Sequence, residues 1–366
     1  GEANSPDGVT RGHTLYCSTD GLKSFVPLTA PDPVKYENSS YYGFVPQRIT
    51  SDSRYIYITF ASSGEVFYGG MGAYACDTGS LSGGKVYRYR IENGVPVFDK
   101  DITPEDHIPC GYSAICSNGK MLLLSTVCRK NGGDIIYTST DSGESWKIIM
   151  NRLEYSRFDW NIPYMKPRYN GDGNCVHWIS DIKLSPFDSD TALFNTGTGL
   201  FMITGLASGD VLVKPFCEGI EETVHLNVYT TPHGRNRIID IIGDLGGFAF
   251  EDYDSECENS FANENGDRYI TCLNADLTLS DPEYIVATPR GNWTGKTKGG
   301  LILSKDCGST WERLPMPRGL SEFIDQKLDN IEKPNVDSGW TAISADGKRI
   351  MWAVASGRGF SNKAVC

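Results

Sequence analysis

Apolar residues along this chain fall in short runs, each closed by a turn-forming residue. Tyr55-Ile56-Tyr57-Ile58-Thr59-Phe60 is such a run, and Lys85-Val86-Tyr87-Arg88-Tyr89-Arg90 alternates apolar with charged. Alternation of period two puts one face of a strand on a core. Met121 to Ser125 is continuously apolar behind an Asn118-Gly119 turn, as a buried strand would be. Further strands are predicted over 179–184, 193–203, 224–229, 237–242, 269–273, 284–287, 340–344 and 349–355. Helical periodicity is confined to Leu320 to Ile331, where one short helix is expected.

One local pattern recurs between the strands. Ile135 to Tyr137 runs into Ser139-Thr140-Asp141-Ser142-Gly143-Glu144-Ser145-Trp146. Leu301 to Leu303 runs into Ser304-Lys305-Asp306-Cys307-Gly308-Ser309-Thr310-Trp311. His13 to Cys17 leads into a degenerate copy, Ser18-Thr19-Asp20-Gly21-Leu22-Lys23-Ser24-Phe25. The aspartate can accept hydrogen bonds from its own turn, the glycine (Leu22 in the degenerate copy) stands where a positive φ is needed, and the aromatic residue can fold onto the sheet. This is the hairpin clasp called the Asp box. Asp20, Asp141 and Asp306 are therefore assigned a structural role.

Repeated short strands with clasped hairpins predict an all-β fold of propeller type. Sheets are expected near 46–100, 112–150, 178–214, 223–252 and 268–315, with a two-stranded sixth at 340–357. Strands within 13–28 are expected to close the ring by pairing with the C-terminal blade. A seventh blade has room within 61–84 or 151–177. The chain is read as a single six- or seven-bladed β-propeller domain over 1–366, with 1–12 as a loose lead-in.

An isoleucine-rich run is followed by the most suggestive acid. Ile238-Ile239-Asp240-Ile241-Ile242 stops at Gly243, and Asp244-Leu245-Gly246-Gly247-Phe248 follows. A carboxylate in a glycine-rich bend beyond a buried strand sits where a ligand can approach the backbone. Asp244 is the candidate catalytic residue; its bland reading is an aspartate capping a turn.

Composition narrows the partners. The 366 residues carry 34 Lys plus Arg against 46 Asp plus Glu, a net charge of −12, which disfavours nucleic acid and anionic membranes. A neutral polysaccharide suits that charge. No apolar run is long enough to span a bilayer. The chain starts at Gly1 without methionine, which points to a processed or truncated product. Eleven cysteines without a CxxC pair suggest disulfides and an oxidising compartment rather than zinc. The sequons Asn38-Ser39-Ser40 and Asn292-Trp293-Thr294 agree with secretion, and make Asn38 and Asn292 candidate glycosylation sites. The five histidines show no metal spacing, and no cofactor or metal is expected. There is no G-x-S-x-G elbow for a serine nucleophile.

Three segments resemble the xyloglucan-active enzymes of glycoside hydrolase family 74. They are Trp178 to Gly199 with its Asp-Pro-Phe-like Ser185-Pro186-Phe187-Asp188 turn, Gly219-Ile220-Glu221-Glu222-Thr223 with Gly243-Asp244-Leu245-Gly246-Gly247-Phe248, and Gly339 to Lys348. The Asp boxes are shared with sialidases and sortilin-type receptors. The family resemblance implies an inverting hydrolase that cuts a β-1,4-glucan bearing xylose branches, using two aspartates across a cleft between two propellers. It implies that Asp244 is the carboxyl of the second propeller, acting as general acid, where desolvation would favour the protonated form. The family's other aspartate has no matching D-x-G-G here, so a second propeller chain or domain is expected to supply it. The alternative is a non-catalytic propeller that binds glycans or assembles with other chains.

Aromatic side chains stack on the apolar faces of sugars. Trp160 and Tyr164, in the polar stretch from Phe158 to Asn174, and Trp178, by its match to the family, are candidate substrate-binding residues. Trp146 and Trp311 belong to the clasps. Glu221 and Glu222 are adjacent, so on a strand they would face opposite ways and form no dyad.

Overall fold

The computed structural model describes residues 15–28, 44–62, 83–105, 110–127, 129, 133–151, 157–162, 176, 178–220, 223–256, 259–291, 297–315, 339–356 and 360–365. Among them the chain is all-β, built from antiparallel sheets of consecutive strands, with no α-helix. The helix expected near 320–331, the sequons at Asn38 and Asn292, Tyr164, Glu221 and Glu222 lie outside the described residues. The chain divides into two compact units, residues 1–162 with 169–221, and residues 163–168 with 222–366.

In the first unit, strands β1 (Leu15–Cys17) and β2 (Val26–Leu28) pair, among the described residues, with each other alone. Leu15 and Leu28 pack with Ile58, Phe60, Tyr87 and Tyr89. The expected pairing of these strands with the C-terminal blade is not among the strand pairs described. The first four-stranded sheet runs β3 (Phe44–Ser51), β4 (Tyr55–Ser62), β5 (Gly84–Glu92) and β6 (Val95–Asp101). A second holds β7 (Gly111–Ser117), β8 (Leu122–Val127), β9 (Ile136–Ser139) and β10 (Lys147–Met150). A third holds β11 (Asp181–Leu184), β12 (Ala192–Thr196), β13 (Gly199–Thr204) and β14 (Leu212–Pro215). β8 is buried along its whole length, which explains its unbroken Leu-Leu-Leu run.

The second unit has a sheet of β15 (Val224–Thr230), β16 (Ile238–Gly243), β17 (Gly246–Phe250) and β18 (Asn259–Ser260), and another of β19 (Cys272–Leu277), β20 (Ile285–Pro289), β21 (Ile302–Ser304) and β22 (Glu312–Arg313). The last sheet has three strands, not the two expected: β23 (Gly339–Ile343), β24 (Ile350–Ser356) and β25 (Phe360–Val365). Ile239, Ile241, Ala249, Phe261, Tyr269, Cys272, Ile285 and Trp311 form the core between the first two of these sheets.

The three Ser-x-Asp turns share one geometry. Asp141 accepts from the Ser139 hydroxyl at 2.7 Å and from the N–H and hydroxyl of Ser145 at 2.9 and 2.5 Å. Asp306 accepts from Ser304, and from the N–H and hydroxyl of Thr310, at 2.8, 2.8 and 2.6 Å. Asp20 does the same with Ser18 and Ser24 despite its degenerate sequence. The Trp146 indole donates to the Ile102 carbonyl at 2.7 Å, and Trp311 packs against Phe261 with centroids 4.4 Å apart. The expected disulfides are not seen among the described residues. Cys116, Cys272 and Cys307 are instead buried thiols that fill their sheets as small apolar groups.

Candidate functional site

The stretch around Asp244 is built from its strand outward. Both faces of β16 are covered, so isoleucines stand on either side of Asp240 on both faces. Ile239 and Ile241 enter the core shared with β19 and β20, while Ile242 packs with Leu245 and Phe248 on the other face. The strand turns back on itself with Ile242 opposite Gly246. Asp244 stands in that turn with a left-handed backbone, φ +61°. Aspartate tolerates that region better than most residues, because its short side chain can bond locally. Two glycines make the turn possible. Gly246 has φ +80°, and a Cβ there would lie 2.6 Å from the Tyr269 carbonyl oxygen. A Cβ on Gly247 would lie 2.6 Å from the Asp240 carbonyl oxygen and 3.0 Å from the Phe261 ring. The Gly-Gly pair is required by close packing of backbone on backbone.

The turn is pinned to the next sheet. The Gly246 N–H donates to the Ile270 carbonyl at 3.1 Å, and the Asp244 N–H to the Thr271 hydroxyl at 2.9 Å. These bonds hold the main chain of Asp244 and leave its carboxylate exposed at the end of a rigid hairpin.

The other acid of the run has a different environment. Asp240 is buried on β16, and both its oxygens meet the His225 ring, Oδ1 at 3.0 Å and Oδ2 at 2.9 Å from Nδ1. The opposite ring nitrogen, Nε2, lies 2.7 Å from the Thr223 hydroxyl. This Thr223–His225–Asp240 chain spans β15 and β16. Sequence reading missed it. The available signal was an aspartate inside an isoleucine run, where a buried carboxylate demands a partner.

The aromatic candidates separate. Trp178 is 47% exposed, has φ +60°, and passes Gly197 in the β12–β13 turn, where a Cβ would meet the indole at 3.9 Å. Trp160 is half-buried, stacked on Phe158 with centroids 4.8 Å apart and set edge-on to Phe201 at 6.1 Å. Among the described residues no three His, Cys, Asp or Glu side chains gather closely enough to hold a metal ion.

Comparison with known proteins adds the family relationship. No family model matches the chain. It is 25% identical over 348 residues to an oligoxyloglucan-reducing end-specific xyloglucanase of Emericella nidulans, covering 84% of this chain and 40% of that protein. It is 24% identical over 246 residues to a xyloglucanase of Paenibacillus sp, covering 60% of this chain and 21% of that protein. The crystal structure of a GH74 xyloglucanase from Xanthomonas campestris superposes with a TM-score of 0.71 at 20% identity, over 98% of this chain and 45% of that one. The chain is thus similar in sequence to xyloglucanases and in fold to a GH74 structure. It spans less than half the length of these relatives. The GH74 likeness agrees with the propeller-type, all-β sheets described above.

Proposed function

We propose that this chain is a propeller-type module of a secreted GH74-like glycoside hydrolase acting on xyloglucan or a related β-1,4-glucan. Its sheets are read as blades of one propeller domain, six or seven in number. The observation that carries the proposal is the exposed carboxylate of Asp244, raised on a hairpin whose main chain is bonded to Thr271 and Ile270. The relationship to xyloglucanases supplies the substrate class.

Asp244 acts as the general acid. Its carboxyl gives a proton to the glycosidic oxygen as the bond from that oxygen to the anomeric carbon breaks. A second carboxylate takes a proton from water, and the water oxygen bonds the anomeric carbon from the opposite face, inverting it. The two carboxyls must stand about 6.5–9.5 Å apart to admit that water. The second carboxylate comes from another propeller domain or chain. Trp178 provides a stacking surface for a glucose or xylose ring. Trp160, occupied by Phe158 and Phe201, is the weaker candidate for that role.

A second reading is favoured by the absence from this sequence of a second D-x-G-G segment: the module binds glycan without cutting it. Incubation with xyloglucan and measurement of new reducing ends separates the two. Release of reducing ends that is lost in Asp244→Asn supports the hydrolase. Binding without release supports the second reading, and neither binding nor release refutes both.

A further inference from the structure

Trp178 joins two features that seldom occur together. Its backbone is left-handed, which strains a bulky residue, and the residue is 47% exposed. The restraint comes from a carboxylate distant in sequence. Asp134 is 2% exposed. Its Oδ2 accepts from the Ile179 N–H at 3.2 Å, and the Trp178 N–H donates to the same carboxylate. Successive N–H groups converging on one anion form a small electropositive cradle in the main chain. Oδ1 accepts from the Thr126 hydroxyl at 2.9 Å and from the Arg129 N–H at 3.2 Å. The Asp134 N–H in turn donates to the Val176 carbonyl at 2.8 Å, so the segment before Trp178 is also tied down. Ile179 is fully buried, and its carbonyl accepts from the Ser113 hydroxyl.

We propose that Asp134 is the positioning residue for Trp178: its carboxylate fixes the strained main chain on which Trp178 presents its indole to a sugar ring. The sugar in this statement rests on the glycan reading above; the clamp does not.

The groups facing the Asp134 carboxylate are the Thr126 hydroxyl from β8 and the N–H groups of Arg129, Trp178 and Ile179. Burial pushes its carboxyl up to about 6, against the opposing pull of these hydrogen bonds. Ionised, both oxygens accept. Protonated, one oxygen carries a hydrogen toward a donor. The Thr126 hydroxyl can rotate to accept it, whereas an N–H cannot. In Asp134→Asn a single oxygen is left to accept, so either the Arg129 N–H or the N–H groups of Trp178 and Ile179 lose their acceptor.

The test uses the whole chain labelled with 5-fluorotryptophan. The Trp178 signal is identified among the seven tryptophans by its loss in Trp178→Phe. In the wild type that signal should shift with a midpoint near pH 6, and in Asp134→Asn the titration should vanish. Affinity for xyloglucan oligosaccharides should fall about tenfold in Asp134→Asn, as in Trp178→Ala. A Trp178 signal in Asp134→Asn that keeps both the position and the titration of the wild type overturns the clamp. Where Asp134→Asn fails to fold, Asp134→Glu, which keeps the charge and moves the carboxylate, is read instead, and an unmoved Trp178 signal there overturns the clamp in the same way. If the wild type binds no oligosaccharide, the glycan reading fails while the Trp178 signal of the variants still decides the clamp.

Discussion

Gly246→Ala separates the two reasons for a glycine beside the candidate acid. Its φ of +80° alone strains an alanine by about 1–2 kcal/mol. The new Cβ would also stand 2.6 Å from the Tyr269 carbonyl oxygen and 3.2 Å from its carbon. That oxygen belongs to main chain, not to a flexible side-chain tip, so the hairpin and the segment before β19 must part. Overpacking of this kind adds about 1–3 kcal/mol. The same movement stretches the Gly246 to Ile270 and Asp244 to Thr271 bonds that position the acid. The expected total is about 2–5 kcal/mol of lost stability. Gly266→Ala is the matched control, in the same unit, with φ +79° and nothing within 4 Å of a Cβ. It should lose about 1–2 kcal/mol, the backbone part alone. Urea unfolding followed by tryptophan fluorescence measures both, with the buried Trp311 as a reporter in this unit. Equal losses in the two variants would refute the claim that close backbone approach dictates Gly246.

Other consequences follow from the same geometry. Ile241→Ala should lower stability by about 2–5 kcal/mol in the same assay, because Ile241 is fully buried against Ala249, Phe261 and Tyr269. Burial opposes ionisation of Asp141, yet hydrogen bonds from Ser145 and Ser139 bring its carboxyl down to about 2. A depressed carboxyl stabilises the fold above its unfolded value of 3.8, and that contribution is lost as pH falls from there toward 2. The group is exposed, so solvent screening reduces the effect to about 1 kcal/mol. The stability difference between wild type and Asp141→Asn should therefore narrow between about pH 4 and 2, as read by unfolding midpoints. Burial pushes the Cys272 thiol up to about 12 and the Cys116 thiol up to about 11. Both should resist iodoacetamide in the native protein and react once it is unfolded, as peptide mass spectrometry would show.

The parts of this molecule legible in sequence are those whose cause is local. A Ser-x-Asp clasp closes on a hydroxyl and an N–H only four residues ahead, so even the degenerate copy at Asp20 announces its turn. The Asn118-Gly119 turn predicts the hairpin of β7 and β8 for the same reason. What stayed hidden depends on contacts that sequence spacing does not encode. Asp240 and Asp244 lie in one short stretch and look alike as letters. Pleating puts Asp240 opposite Phe248, inside the sheet, and the β15 bulge between His225 and Asn227 sets its partner. The turn carries Asp244 out to solvent. Trp160 reads as a polar-loop aromatic until Phe201, on another strand, is brought edge-on to it.

The same logic orders the two acids chemically. A buried carboxylate bonded to histidine holds β15 to β16, because leaving Asp240 unpaired there would carry a desolvation penalty. An exposed carboxylate whose main chain alone is bonded adds little to stability and is free to meet another molecule. Asp244→Asn should thus leave unfolding within about 0.5 kcal/mol of wild type, since asparagine also accepts the left-handed turn and the bond to Thr271 uses only the main chain. Its effect should fall on glycan cleavage alone. A large loss of stability in Asp244→Asn would instead identify the residue as a turn cap and remove the basis for its catalytic role.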